Sequence, residues 1–261
     1  MRTSRLGPLL AFNFLLLAPV IQAQQPTWTL QRDTTAAALL QRSVASMATT
    51  APSDSMATGN ITIVEGSLNE SGAINIQTLR TTESSETITL PDGQREIIYS
   101  NGDAKEVNDG QSANPPVELI VVDQCADFPL PLLSAFLNNA DESFKYIGQE
   151  TVNGVAVQHI QVWNSFASKP RLTRLAPSSR RDVWLDSTSL HPVKISWVRQ
   201  AGEGAVPAIP VEVDFSGYKN VNGVVYPFQI SKSYNGTPWQ TIAIQSVTFN
   251  TGLTDSNFQV E

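Results

Sequence analysis

The chain has 261 residues, with 24 acidic against 17 basic side chains and a formal net charge of −7 at pH 7. This acidic balance argues against nucleic acid as a partner, because a protein that binds phosphates needs a basic surface. The only cysteine is Cys125, which excludes an internal disulfide and therefore a scaffold built from disulfides.

The first residues have the pattern of a secretory signal peptide, predicted over residues 1–23. Arg2 and Arg5 precede an apolar run from Leu6 to Ile21, and the small residue Ala23 follows. The run is interrupted, and it is shorter than the about 20 apolar residues that a membrane-spanning helix needs. We expect cleavage near Ala23 and export to a bacterial periplasm, without a lipid anchor because no cysteine stands at the cleavage point.

The remaining residues, 24–261, are expected to form one domain rich in β-structure, since such domains reach roughly 200 to 250 residues. A helix is predicted from Asp33 to Ala48, because Asp33 can cap its start and apolar residues recur at helical spacing. From Asn60 onward, short alternating runs separated by turn residues predict an antiparallel meander.

The middle of the chain departs from this alternation. Residues Val117 to Val122 are a short apolar run of the kind found in buried segments. Residues Leu130 to Leu137 carry apolar side chains at helical spacing, which predicts a second short helix.

The strands of the C-terminal half alternate between apolar and polar side chains, so one face of the sheet is predicted to be apolar. Six large side chains are expected to point inward from this face: Ile195, Trp197, Val213, Phe215, Tyr226 and Phe228.

A short motif occurs twice, as Val152-Asn153-Gly154-Val155 and as Val221-Asn222-Gly223-Val224. Asn-Gly between β-branched residues predicts a two-residue hairpin turn, because both central residues need positive φ. The flanking residues of the two copies differ, so we interpret them as two turns and not as an internal repeat.

Three stretches carry a resemblance to a known family: 182–186 leading to 191–195, 218–227, and 247–258. Together with the signal peptide and the N-terminal helix, they resemble the periplasmic lipoprotein-carrier (LolA-like) superfamily over most of residues 24–261. The resemblance implies a mainly β, α+β fold, in which a strongly curved antiparallel sheet forms an incomplete barrel covered by a few helices. Such proteins keep an apolar cavity for acyl chains between the sheet and the helices.

The resemblance implies an exported carrier or binding protein for lipid acyl chains or lipidated proteins, without catalysis, cofactor or metal. The six inward-facing side chains are then expected to line the cavity. Lipid or acylated protein is the expected cargo, with transient contacts to the membrane or envelope proteins, and we expect a monomer. The family holds its cargo with an arginine on an early strand; Arg80 and Arg95 lie in that region, but neither stands in a matching motif.

Three alternatives stay open. The same cavity could serve an envelope sensor or regulatory protein, or the core could be fully packed in a structural exported β-protein. A Ser/His/Asp hydrolase site assembled in three dimensions is the third, although no local catalytic motif occurs.

A basic segment interrupts the acidic average. It contains five basic residues and no acid: Lys169, Arg171, Arg174, Arg180 and Arg181. Such a run either keeps a loop solvated or forms a docking patch for anionic lipid head groups or an acidic partner.

The remaining candidates for chemistry are few. His159 and His191 have no metal-binding spacing, and His159 shares a strand face with Val157 and Trp163, which favours a partly buried structural role. Cys125 has no basic neighbour in sequence, which favours a buried, inert thiol.

Overall fold

The computed structural model describes residues 28–125, 127–199 and 208–260, so the predicted signal peptide lies outside the described residues. Within these ranges the chain forms three α-helices, three short 3₁₀ helices and fifteen β-strands. The helices are α1 (Thr34–Met47), α2 (Val117–Asp123) and α3 (Pro129–Asn138). The 3₁₀ helices are Pro170–Leu175, Pro177–Ser179 and Asp255–Asn257.

The strands follow the turns that the sequence predicts. In chain order they are β1 (Asp54–Glu65), β2 (Leu68–Leu79), β3 (Glu83–Leu90), β4 (Gly93–Ser100), β5 (Asp103–Asn108), β6 (Gln111–Ala113), β7 (Glu142–Val152), β8 (Val155–Asn164), β9 (Arg181–Asp186), β10 (Pro192–Arg199), β11 (Ile209–Ser216), β12 (Lys219–Val221), β13 (Val224–Tyr226), β14 (Gln229–Tyr234) and β15 (Thr237–Phe249).

Thirteen of the described strands form one antiparallel sheet, in the order β6-β5-β4-β3-β2-β1-β15-β14-β11-β10-β9-β8-β7. Strands β12 and β13 pair separately as a hairpin. The sheet is curved and does not close into a barrel, and the few helices accompany it. The predicted fold class, mainly β with an incomplete barrel, is therefore confirmed.

The two edges of the sheet differ. At the β7 edge, the segment before α1 adds a short bridge: Phe144 donates its backbone N–H to the Gln31 carbonyl at 2.8 Å, and Asp33 donates to the Phe144 carbonyl at 3.1 Å. At the other edge, β6 has only three residues, all exposed. Long unpaired edges are hazardous because they pair with other chains.

Helix α1 confirms the helix predicted from Asp33. The Asp33 side chain accepts hydrogen bonds from the backbone N–H groups of Thr35 at 2.8 Å and Ala36 at 3.0 Å, which satisfies donors that an uncapped helix leaves free. The buried face of α1 includes Leu40 and Met47. Helix α1 contacts α3, β7 and β13, so it covers the sheet near its β7 end.

Helix α3 confirms the second predicted helix, and its buried residues include Leu133 and Phe136. The apolar run at Val117 forms α2, which buries Ile120 and Val122. This helix contacts both β5 and β10, which lie far apart in the order of the sheet. Helix α2 therefore spans the open side of the curved sheet.

Both copies of the repeated motif are hairpin turns, as predicted. Asn153 and Gly154 have φ of 51° and 80° between β7 and β8, and Asn222 and Gly223 have φ of 52° and 86° between β12 and β13. Glycine and asparagine adopt this left-handed region more easily than other residues.

Candidate ligand cavity

A cavity of about 670 Å³ lies on the inner face of the sheet. Strands β1, β3, β4 and β5 form one side of it, and β14 and β15 form the other. The end of α2 and the loop after it cover it on the helix side. Its volume is within the roughly 300 to 1,000 Å³ that is typical of small-molecule sites.

Part of the cavity wall is apolar. Ile63, Ile88 and Phe128 are buried, and Trp239 packs against the same hydrophobic core. Apolar space that side chains leave unfilled favours an apolar ligand, because water there finds no hydrogen-bond partners. This part of the wall can therefore hold an alkyl chain.

Another part of the wall is charged. Five residues form what we call the charged cluster: Glu86, Asp123, Asp127, Arg199 and Lys232. Lys232 Nζ lies 2.9 Å from Asp127 Oδ2, and Arg199 Nε lies 2.8 Å from Asp123 Oδ2. Both ion pairs are largely buried, where charges need partners to offset their loss of hydration.

Aromatic rings hold the two cations of the cluster in place. Lys232 Nζ lies 5.6 Å from the ring centroid of Trp197 and 6.0 Å from that of Trp239, and the Arg199 guanidinium lies 5.9 Å from Tyr234. The Trp197 indole also donates to Asp123 Oδ1 at 2.8 Å. Burial alone would lower the pKa of Lys232, but the Asp127 carboxylate outweighs it, and the pKa is raised.

Glu86 is the third carboxyl of the cluster, partly exposed on the inner face of β3. Loss of hydration and, second, the neighbouring Asp127 charge raise its pKa to about 8. Near neutral pH its carboxyl is therefore mostly protonated. In that state it can donate a hydrogen bond, and a bond to Asp127 is among the causes of its shift.

Apart from the protonated Glu86 carboxyl, which is placed to donate to Asp127, two buried polar atoms on the cavity wall have no hydrogen-bond partner among the described donors and acceptors. They are Asp127 Oδ1 and Gln240 Nε2, on side chains that are each 4% exposed. Polar groups buried in this way are normally paired, because leaving one unpaired costs about 1 to 3 kcal/mol. The wall thus has unused capacity for a polar group.

The cavity does not lie where the sequence predicts. The six predicted residues do point inward and are buried in the main core: Ile195, Trp197, Val213, Phe215, Tyr226 and Phe228. None of them lines the 670 Å³ cavity, because side chains fill that part of the inner face. Only Trp197 reaches the site, through its bond to Asp123.

The two arginines of the early-strand region, neither of which the sequence assigns to the cargo site, have different surroundings. Arg95 lines the cavity and forms an ion pair with Asp92 at 2.7 Å. Arg80 is outside the cavity and bridges Glu83 and Asp255.

The predicted docking patch loses one member. Arg181 is 6% exposed and points inward, where it donates to the carbonyls of Val121 at 2.9 Å and of Val122 at 2.7 and 3.1 Å. Its guanidinium also lies 5.4 Å from the Phe136 ring. Arg181 therefore anchors the C-terminal end of α2 and cannot meet a membrane or a partner.

The other four residues of the patch remain at the surface: Lys169, Arg171, Arg174 and Arg180. Arg174 pairs with Glu118 at 3.2 Å, and Arg180 pairs with Asp182 at 2.8 Å. The exposed basic surface is therefore smaller and partly neutralised.

The histidines are on other parts of the fold. His159 Nε2 lies 2.8 Å from Asp182 Oδ1, its Nδ1 contacts Glu150, and its ring stacks on Trp184. Burial lowers the pKa of His159, but the bonds to these carboxylates outweigh it and raise the pKa. In the described part of the chain, the hydrogen bonds place no serine hydroxyl against this ring or that of His191.

The thiol of Cys125 lies next to the charged cluster on the cavity wall and is 2% exposed. Burial raises its pKa to about 11, so the reactive thiolate is scarce at neutral pH. The interpretation of a buried thiol is confirmed.

The described residues show no sign of a membrane-spanning helix or of a metal centre. None of the described helices is long and apolar enough to cross a membrane. Likewise, the described residues contain no group of three or more His, Cys, Asp or Glu side chains placed to hold a metal ion.

The chain has a LolA-like fold. No protein-family model and no curated protein matches the sequence. A LolA superfamily protein from Nitrosomonas europaea aligns with a TM-score of 0.59 at 11% identity, covering 86% of this chain and 97% of that one.

Two further solved structures have the same fold. A domain from Vibrio parahaemolyticus that is attributed to outer membrane lipoprotein sorting aligns with a TM-score of 0.58 at 13% identity, covering 86% of this chain and 96% of that one. A DUF1329 family protein from Desulfovibrio piger aligns with a TM-score of 0.55 at 12% identity, covering 88% and 98%. At such low identity the likeness shows the fold and assigns no residue a role.

Proposed function

We propose that this protein is an exported, non-enzymatic carrier that holds the aliphatic chain of a lipid or of a lipidated protein. The observation that carries this proposal is the cavity of about 670 Å³ with an apolar wall at Ile63, Ile88 and Phe128. The LolA-like fold supports it, since a relative with this fold is attributed to lipoprotein sorting.

The energetics suit reversible loading. Burying a chain of about 14 methylenes at roughly 0.8 kcal/mol each gives a gross gain near 11 kcal/mol. A bilayer offers the same chain a similar gain. A carrier that takes cargo from a membrane and returns it needs only to match the bilayer, and a cavity that side chains leave unfilled meets that need.

Helix α2 is the part of the cover that can regulate access. It has seven residues, whereas α1 has 14, and it spans from β5 to β10 over the cavity. Arg181 and the ion pair of Asp123 with Arg199 hold its C-terminal end. Cargo entry would displace this short helix while α1 and α3 stay packed in the core.

The periplasm is the proposed compartment, and anionic membrane head groups are the proposed contact of the exposed basic residues. Lys169 and Arg171 form no ion pair among the described residues, in contrast to Arg174 and Arg180. Charge reversal of both, Lys169→Glu with Arg171→Glu, should reduce binding to vesicles containing anionic lipid at low salt. Unchanged vesicle binding would leave these residues as a solvated loop.

The decisive test of the carrier function is native mass spectrometry of protein purified gently from the exported fraction, followed by organic extraction and identification of lipid. We expect one bound lipid per chain. The substitution Ile88→Trp fills the cavity. It should abolish the mass of the bound lipid and weaken the binding of a fluorescent fatty-acid probe at least about tenfold.

The matched control is Thr89→Trp, which places the same side chain one residue further along β3 on the exposed face. It should leave lipid and probe binding unchanged, while circular dichroism and denaturant unfolding check that both variants fold. Protein that carries no lipid and binds no probe would refute the carrier function and favour a structural β-protein.

A further inference from the structure

The charged cluster contains more carboxyls than cations. Asp127 pairs with Lys232 and Asp123 pairs with Arg199, whereas Glu86 forms no ion pair with any basic side chain of the described residues. With all three carboxyls ionised, the cluster would carry one uncompensated negative charge. Such a charge in a poorly hydrated site needs either a proton or a bound cation.

An anionic head group does not fit the same wall. The ammonium of Lys232 and the guanidinium of Arg199 are already held at 2.9 and 2.8 Å by carboxylates and lie beside aromatic rings. An anion would have to break one of these ion pairs and would meet the carboxyl of Glu86. Breaking a buried pair leaves an uncompensated charge and is strongly destabilising.

The second observation is that Asp127 depends on the Glu86 proton for one of its hydrogen bonds. The side chain is 4% exposed and lines the cavity, and its Oδ1 accepts no bond from a described N–H group or hydroxyl, so the protonated Glu86 carboxyl is the donor placed beside it. Gln240 Nε2, equally buried on the facing strand β15, is also unpaired. When Glu86 ionises, Asp127 loses this donor, and two adjacent carboxylates favour a group that brings both N–H donors and a positive charge.

We propose that the charged cluster binds the primary ammonium head of an aliphatic amine, whose chain occupies the apolar part of the cavity. The ammonium donates N–H bonds to the Glu86 carboxylate and to Asp127 Oδ1. Glu86 gives up its proton to solvent on binding, so one cation enters and one proton leaves. This inference rests on the proposed function, since it concerns the head group of the same ligand.

The test is isothermal titration calorimetry of the full chain after removal of its signal peptide and of any lipid, with monomeric dodecylamine, dodecanol and dodecanoate. It is run at about pH 6.5, where Glu86 is protonated. We expect dodecylamine to bind at least about tenfold more tightly than dodecanol, and dodecanoate to bind more weakly than either. Titrations in two buffers of different ionisation enthalpy should show about one proton released per amine.

Two comparisons locate the effect. Glu86→Gln should remove both the preference for the amine and the proton release, while dodecanol binds as before. Glu106→Gln is the matched control, because Glu106 lines the same cavity at an exposed position, and it should keep both. Propylamine distinguishes a long-chain amine from a lysine side chain or another small amine. Tight binding of propylamine would indicate the second source and would refute a role for the long chain.

The outcomes distinguish failure of the ammonium site from failure of the carrier function. If dodecanol and dodecanoate bind but dodecylamine has no advantage, the ammonium site is refuted and the carrier function stands. Amine preference without proton release, or preference that survives Glu86→Gln, also refutes the assignment to Glu86. If none of the long-chain ligands binds, the carrier function itself fails, and the ammonium site fails with it.

Discussion

The two parts of the inner sheet face are covered in different ways. Near β7, helices α1 and α3 contribute Leu40, Leu133 and Phe136 to a core in which side chains fill the space. Near β3 to β5, the short helix α2 and its following loop provide the cover, and the cavity with the charged cluster remains. We call these parts the filled end and the cavity end.

The difference shows that one apolar sheet face can serve two purposes along its length. Where the cover supplies many large apolar side chains, their burial stabilises the fold. Where it supplies carboxylates instead, the wall carries charged groups, and a cavity remains between the cover and the sheet. The cover contributes Asp123 and Asp127 to this end, and the sheet contributes the other three charged residues, so both decide how each end differs.

The largest expected effect comes from removing Arg181, which joins strand β9 to helix α2 and so connects the two ends. Arg181→Ala should lower the free energy of unfolding by about 3 to 5 kcal/mol, because it leaves the carbonyls at the end of α2 without donors in a buried site. Denaturant unfolding measures this change. The control, Arg180→Ala, removes an exposed neighbour and should cost less than about 1 kcal/mol; equal losses would contradict the anchoring role.

A matched pair of truncations compares the ends directly. Ile160→Ala removes a fully buried side chain at the filled end and should cost about 3 to 4 kcal/mol. Ile88→Ala removes the same atoms at the cavity end, where contacts on one side are already missing, and should cost about 1 to 2 kcal/mol. Similar losses in thermal or denaturant unfolding would show that the cavity end is packed.

The smallest expected effect is the dependence of stability on pH. The pKa of Glu86 is raised from 4.5 to about 8 in the folded chain, so the folded state binds more protons than the unfolded state between these values. The stability contribution is present at low pH and is lost as pH rises towards about 8. Because Glu86 is partly exposed, we expect a loss of about 1 to 2 kcal/mol.

Glu86→Gln should flatten this slope in unfolding experiments between about pH 5 and pH 8. Glu142, whose pKa burial raises to about 7, contributes a slope of the same sign, and it remains in the variant. The difference between the stability curves of the wild-type chain and of Glu86→Gln is therefore due to the titration of Glu86. Identical curves would show that this carboxyl titrates at its ordinary pKa.

The sequence predicts the frame of the fold well, because the frame depends on local signals. Asp33 as a helix cap, the turns Asn153-Gly154 and Asn222-Gly223, and strict alternation in the late strands are each readable over a few residues. The inward direction of Trp197 and Phe215 follows from the same alternation.

The sequence does not show where the inner face is filled and where it is empty, because that depends on which helix covers each strand. Arg181 illustrates the difficulty: it stands in a basic run, yet the strand pattern places it on the inner face with Val183 and Leu185. The charged cluster has a comparable signal. Arg199 and Lys232 continue the inward alternation of their strands. A charged residue at a position where the pattern calls for an inward apolar side chain is therefore the sequence signal for this cluster.

The edges of the sheet have a consequence for the chain before it is fully folded. A sheet of thirteen strands that stays open offers two places where another polypeptide could extend it. The three-residue β6 presents too short a template for such growth, and the bridge between Gln31 and Phe144 occupies part of β7. Until that N-terminal segment docks, β7 is the edge at which newly synthesised molecules would pair with one another, and docking of the segment covers part of that edge.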